Sequence, residues 1–159
     1  MGKVLSSFTN GFPGAIARSL DDVVISLANT SEEPIAFGMP VALGEDKNGV
    51  VPFDGSEHTA ADFVGVAVRN PSKTPDTYGS NQGAYASEDL VDVLVRGHIV
   101  VKLARTSASL GDQVSIVKST GSFATGTGDS LIPLANAHVS AIPDASGMAE
   151  IVLNTRNLV

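Results

Sequence analysis

A chain of 159 residues with 17 Asp and Glu against 10 Lys and Arg carries a net charge of -7, which disfavours sequence-neutral binding to a phosphate backbone. It contains no Cys, so disulfides, thiolate metal sites and a cysteine nucleophile are excluded together. No apolar run approaches the ~18–20 residues of a membrane span, and the length suits one domain able to bury a core without covalent staples.

Residues 1–20 differ in texture from the rest. The first seven residues carry Lys3 but no continuous apolar segment, so no signal peptide is expected and the chain reads as made and used without export. Asn10-Gly11-Phe12-Pro13-Gly14 sets turn residues around a lone aromatic, and no acid appears before Asp21. Ala15 to Leu20 is too short for a stable helix of its own. The region is read as an extended N-terminal arm. Its apolar Phe12, Ile16 and Leu20, together with Arg18, are candidate partner-binding residues, because such apolar groups gain stability only once covered.

From Asp22 onward short apolar runs follow one another, punctuated by Gly, Pro, Asn and Asp. Strands are predicted over 23–28, 35–43 (broken by Gly38 and Pro40), 49–53, 63–69, 90–95, 98–103, 113–117, 121–124, 131–134, 137–142 and 149–154. In the run around Asp92 to Leu103, alternation puts Val91, Val93 and Val95 on one face, and Gly97 falls where a bulge or change of face is easiest. Asp46-Lys47-Asn48-Gly49, Ser119-Thr120-Gly121 and Asp144-Ala145-Ser146-Gly147 read as turns, and Gly126-Thr127-Gly128-Asp129 as a flexible hairpin. This pattern predicts an all-β chain: one β-sandwich or small β-barrel of short antiparallel strands over 21–159, preceded by the arm. Residues 70–89 form a predicted long loop that holds both tyrosines, Tyr78 and Tyr85, read as contact residues because Tyr is enriched at interfaces.

Charge is unevenly placed. From Asp21 to Asp62 there are nine acids and one base, Lys47; the stretch reads first as an acidic solvated face and alternatively as an edge that meets a basic partner, with Glu32 and Glu33 as the candidate contacts. Residues 69–105 are close to balanced.

The residue types for chemistry are scattered. His58, His98 and His138 lie on separate predicted elements, no GxSxG elbow is present, and 126–129 lacks the Lys of a phosphate-binding loop. Adjacent acids such as Asp21-Asp22 and Glu32-Glu33 do not converge from separate strands as an acid/base pair must. Aromatics are only 5% of residues, which counts against base-stacking and sugar-stacking surfaces. No cofactor is expected.

Several segments also carry a resemblance: Asn10 to Arg18, Asp21-Asp22-Val23-Val24, Phe37-Gly38-Met39-Pro40-Val41, Phe63 to Arg69, Val91 to Gly97 and Gly147-Met148-Ala149-Glu150-Ile151. In this order they resemble the structural cement (capsid decoration) proteins of tailed bacteriophages, over nearly the whole chain. The resemblance implies a non-enzymatic β protein on the outer surface of the virion that binds the major capsid protein and clamps neighbouring capsomers. A homo-oligomer, a trimer by analogy with capsid three-fold sites, is expected with it. The rival reading is a receptor-binding or carbohydrate-binding β module.

Overall fold

The computed structural model describes residues 9–73, 83–105 and 107–155, with the backbone alone at Ser19 and Leu20. The fold is all-β. Its strands are β1 (Ile16–Asn29), β2 (Ile35–Ala36), β3 (Pro40–Leu43), β4 (Gly49–Pro52), β5 (Phe63–Ala67), β6 (Ala84–Tyr85), β7 (Leu90–Lys102), β8 (Gln113–Val117), β9 (Phe123–Thr125), β10 (Leu131–Ala141) and β11 (Met148–Leu153). The main sheet runs β1-β4-β3-β5-β7-β11-β10-β8-β9, and because β1 also pairs with β7, the first five of these close into a ring. β2 and β6 form a separate small ribbon.

β7 holds the two parts together. Val91, Val93 and Val95 belong to a core shared with Val41, Val50, Val64 and Tyr85 inside the ring. Leu94, Ile99, Val101 and Leu103 belong to a second core with Phe63, Ile116, Phe123, Leu134 and Ile151. Odd-numbered residues therefore change core between Val95 and Ile99, and the change falls at Gly97, whose φ is 121°. A Cβ at Gly97 would also strike Asp22 Oδ1, so space and backbone conformation both demand glycine.

The strand bends there as well. Val68 N–H donates to Asp92 O, while its neighbour Arg69 donates to Gly14 O, and Gly14 N–H in turn donates to Val100 O. A straight stretch from Asp92 to Val100 would measure about 26 Å, too far for that short relay, so β7 folds sharply at Gly97.

Four expectations are revised by this architecture. The runs predicted at 90–95 and 98–103 are one strand, as are those at 131–134 and 137–142, because each serves two neighbouring strands in succession: β10 pairs first with β8 and then with β11. β1, at 14 residues, is not short, and its pairing with β4 is parallel. Residues 126–129 connect β9 to β10 on opposite sides of β8, so they form no hairpin. The predicted loop 70–89 contains β6, which pairs Ile35 with Tyr85.

Residues 9–20, expected as arm, are hydrogen-bonded to the domain. Asn10 N–H donates to Asp144 Oδ2 (3.0 Å) and Asn10 Nδ2 to Ile142 O and Met148 O (2.8 and 2.6 Å). Val100 N–H donates to Ala15 O, and Ile16 pairs with Ile99. The backbone thus has no boundary at residue 20, since β1 runs through it.

Candidate functional site

The acids scattered from Asp21 to Asp62 in the sequence are partly gathered by the fold. The loop after β1, the turn between β3 and β4, and the segment following β4 line one open concavity that carries Glu33, Glu45, Asp46, Asp54, Glu57 and Asp62. Among the described residues, Lys47 is the only Lys or Arg on its lining. The ion pairs among the described residues, Arg18 with Glu150, Lys73 with Asp89 and Arg96 with Asp21, use none of these carboxylates. Like charges so arranged repel one another and leave a negative field outside the chain.

Local hydrogen bonds hold the rim. Asn29, 1% exposed, donates from Nδ2 to Glu33 O (2.9 Å) and Ala86 O (3.1 Å), and its Oδ1 accepts from Ser31 N–H and Oγ. That side chain ties the Glu32–Glu33 loop to the strand end. Asp54 accepts from the N–H and hydroxyl of Ser56, which hold its carboxyl below the ordinary value of 3.8. Asp62 is lowered in the same way by the N–H and hydroxyl of Thr59. Both stay ionised in mildly acidic conditions. His58 Nδ1 accepts from Asp54 N–H (2.9 Å), a structural use of that ring. Among the described residues, no group of three or more His, Asp or Glu is arranged to hold a metal.

Of the remaining expected contacts, Phe12, Ile16 and Arg18 do not line the concavity. Phe12 is 44% exposed with the Arg69 guanidinium 5.4 Å from its ring centre. Ile16 is 39% exposed at the start of β1. Arg18 Nε reaches Glu150 Oε1 at 2.9 Å across the face of β7, and Glu150 also accepts from Ser140 Oγ. Leu20 lies in β1, its side chain outside the described residues, as is Tyr78 altogether.

Tyr85 is not a surface residue. It is fully buried, stacked edge-on to Phe37 with ring centres 5.4 Å apart, and its hydroxyl donates to Val68 O at 2.7 Å. Burial, with Asp92 nearby, pushes its phenol up to about 12. A Tyr-bearing loop read as a contact thus contributes one of its rings to the core, because Tyr85 of β6 pairs with Ile35 of β2, 50 residues upstream, a partnership that no local pattern reveals. Glu32 is exposed on the rim loop without lining the concavity, whereas Glu33 lines it. The sequence did not single out Asp54, Glu57 or Asp62 as site residues, although all three fall within the acidic stretch.

A family model described as Structural cement protein (E217 gp24/Pam3 gp6) matches residues 3–154. A chain from a solved structure entitled "The capsid of Myoviridae Phage XM1" superposes with a TM-score of 0.75 at 15% sequence identity, over 96% of this chain and 95% of that one. At that identity the likeness is one of fold. No curated protein matches.

Proposed function

The chain belongs to the structural cement protein family, which gives it a structural role in association with a phage capsid, and from that premise we propose how it acts. It sits on the outer surface of the head, binds the major capsid protein and clamps neighbouring capsomers. The observation that supports this reading is the separation of two candidate surfaces, sharing no described residue, on one scaffold whose ring and second core are joined through β7. One is the half-exposed Phe12, Ile16 and Arg18 group; the other is the acidic concavity. Two surfaces let one chain hold two neighbours at once, and repetition over a symmetric lattice multiplies weak contacts. A trimer at three-fold sites is the arrangement this reading favours.

Heads assembled without the protein provide the test. Adding the purified chain back should raise the temperature at which heads rupture, and density on the heads should show it straddling two capsomers as trimers. Heads equally robust with and without the chain would overturn the cement role; isolated single copies at non-symmetric positions would overturn the trimer.

A further inference from the structure

Among the described residues, β1 has one strand neighbour over most of its length. It pairs with β7 from Ile16 to Ala28, but with β4 only at Ala28 and Asn29. Asn29 N–H donates to Asp89 O, and Ile25 and Leu27, two and four residues earlier, face β7 in the same phase. The intervening Val24 and Ser26 therefore direct their N–H and C=O groups away from β7, and no backbone partner meets them among the described residues. Both residues are exposed. Val23-Val24-Ile25-Ser26-Leu27 contains no charge, Pro or Gly, the devices that ordinarily keep a free strand edge from pairing.

We propose that this edge of β1 receives an extended segment of another chain as an added strand. Both ends of the slot are net negative. Asp21, ion-paired with Arg96, and Asp22, which accepts from His98 N–H, precede it, and Glu45 and Asp46, with Lys47 beside them, stand in the turn leading to Gly49, the residue paired with Ala28. The segment that fits is uncharged over about five residues, matching Val23 to Leu27, with Lys or Arg at its flanks. The net negative charge at both ends weighs against a second copy of this chain. Two β1 strands paired antiparallel about Ile25 would bring Asp21 and Asp22 of each toward the Glu45-Asp46 turn of the other. The occupant is a basic-flanked segment of the capsid protein, an assignment that rests on the cement reading.

The test uses the whole chain with heads lacking it. On binding, the amides of Val24 and Ser26 should exchange at least about tenfold more slowly than in the free protein, because only strand addition protects them. Val24→Pro removes an N–H that the fold does not use, so it should weaken attachment by about tenfold at little change in melting temperature. Should Val24→Pro fail to fold, the exchange measurement on the unsubstituted chain decides alone. Tight attachment with both amides still exchanging freely would overturn the added strand and leave the cement role standing. Protection that appears without heads and grows with protein concentration would show β1 pairing with its own copy, and would also overturn it. An unsubstituted chain that fails to bind heads would remove the cement reading, and this partner with it.

Discussion

The N-terminal segment and the acidic concavity are both surfaces on which contact was expected, and the fold treats them oppositely. Residues 10–15 direct polar groups inward: Asn10 to the β10–β11 turn, Gly14 and Ala15 to Val100. What the segment leaves outside is Phe12 and Ile16, with the exposed Arg18 guanidinium held at Glu150 beside them. The concavity leaves its carboxylates outside, none of them in an ion pair among the described residues. The first surface is suited to hold by burial once a neighbour covers it, the second to attract at a distance. Substitutions should therefore separate them, one set altering stability and the other attachment.

The largest effect is expected where the N-terminal segment docks. Gly14 has a φ of 77°, and a Cβ there would stand 2.8 Å from both Ala67 O and Arg69 N and 2.9 Å from Gly38 N. These are backbone atoms that cannot swing aside. Gly14→Val should therefore lower unfolding free energy by about 2–4 kcal/mol, read by chemical denaturation. A loss under about 0.5 kcal/mol would mean that residues 10–15 are not held as described, and the contrast between the two surfaces would lapse.

Tyr85→Phe comes next. It orphans Val68 O inside the protein and should lower stability by about 1–2 kcal/mol while leaving attachment to heads unchanged. The phenol titrates near 12 in the folded chain against 10 when unfolded, so the unfolded state releases its proton first. Stability should accordingly fall as pH rises from about 10 to about 12, and Tyr85→Phe should flatten that fall.

A smaller effect attaches to Asp144. Burial pushes its carboxyl up, but N–H donors from Asn10, Met148 and Ser146 outweigh that and hold it below the ordinary 3.8. The tie is therefore complete above pH 3.8 and is lost as pH falls through the lowered value. Amide exchange at Asn10 should accelerate over that acid range, and Asn10→Ala, which removes the side-chain bonds to Ile142 O and Met148 O, should exchange faster at position 10 already at neutral pH, with a stability loss of about 1 kcal/mol.

Much of this contrast was legible in the sequence, and what was not has a common cause. β8 at 113–117 lies where alternation placed it, and Gly97 marks the change of core because a local break in period shows in the residues themselves. The acids were visible as a stretch, but that Glu33, Glu45 and Asp62 share one concavity depends on β1 closing against β4. Tyr85 went to the core by the same route, through a pairing with Ile35. The free edge of β1 is likewise a property of pairing rather than of composition. Sequence-local signals identify strands; which strand lies beside which is decided by non-local contacts.

The last prediction concerns the concavity and should leave stability nearly untouched. Replacing Glu33, Glu45, Asp46 and Glu57 by Gln or Asn removes charges that repel one another and have no ion-pair partner among the described residues, so unfolding free energy should shift by no more than about 0.5 kcal/mol, upward if at all. Attachment should respond quite differently. Exposed charges act over roughly 8 Å at physiological ionic strength, so if the concavity steers the chain to a basic capsid surface, the unsubstituted protein should associate faster at low salt than at high. The neutralised variant should associate more slowly, by about tenfold at low salt, and should lose most of that salt dependence, while its dissociation changes little. Salt-independent association of the unsubstituted chain, or a variant that attaches as fast, would remove the steering role from the concavity and leave attachment to the Phe12 and Ile16 surface and the edge of β1.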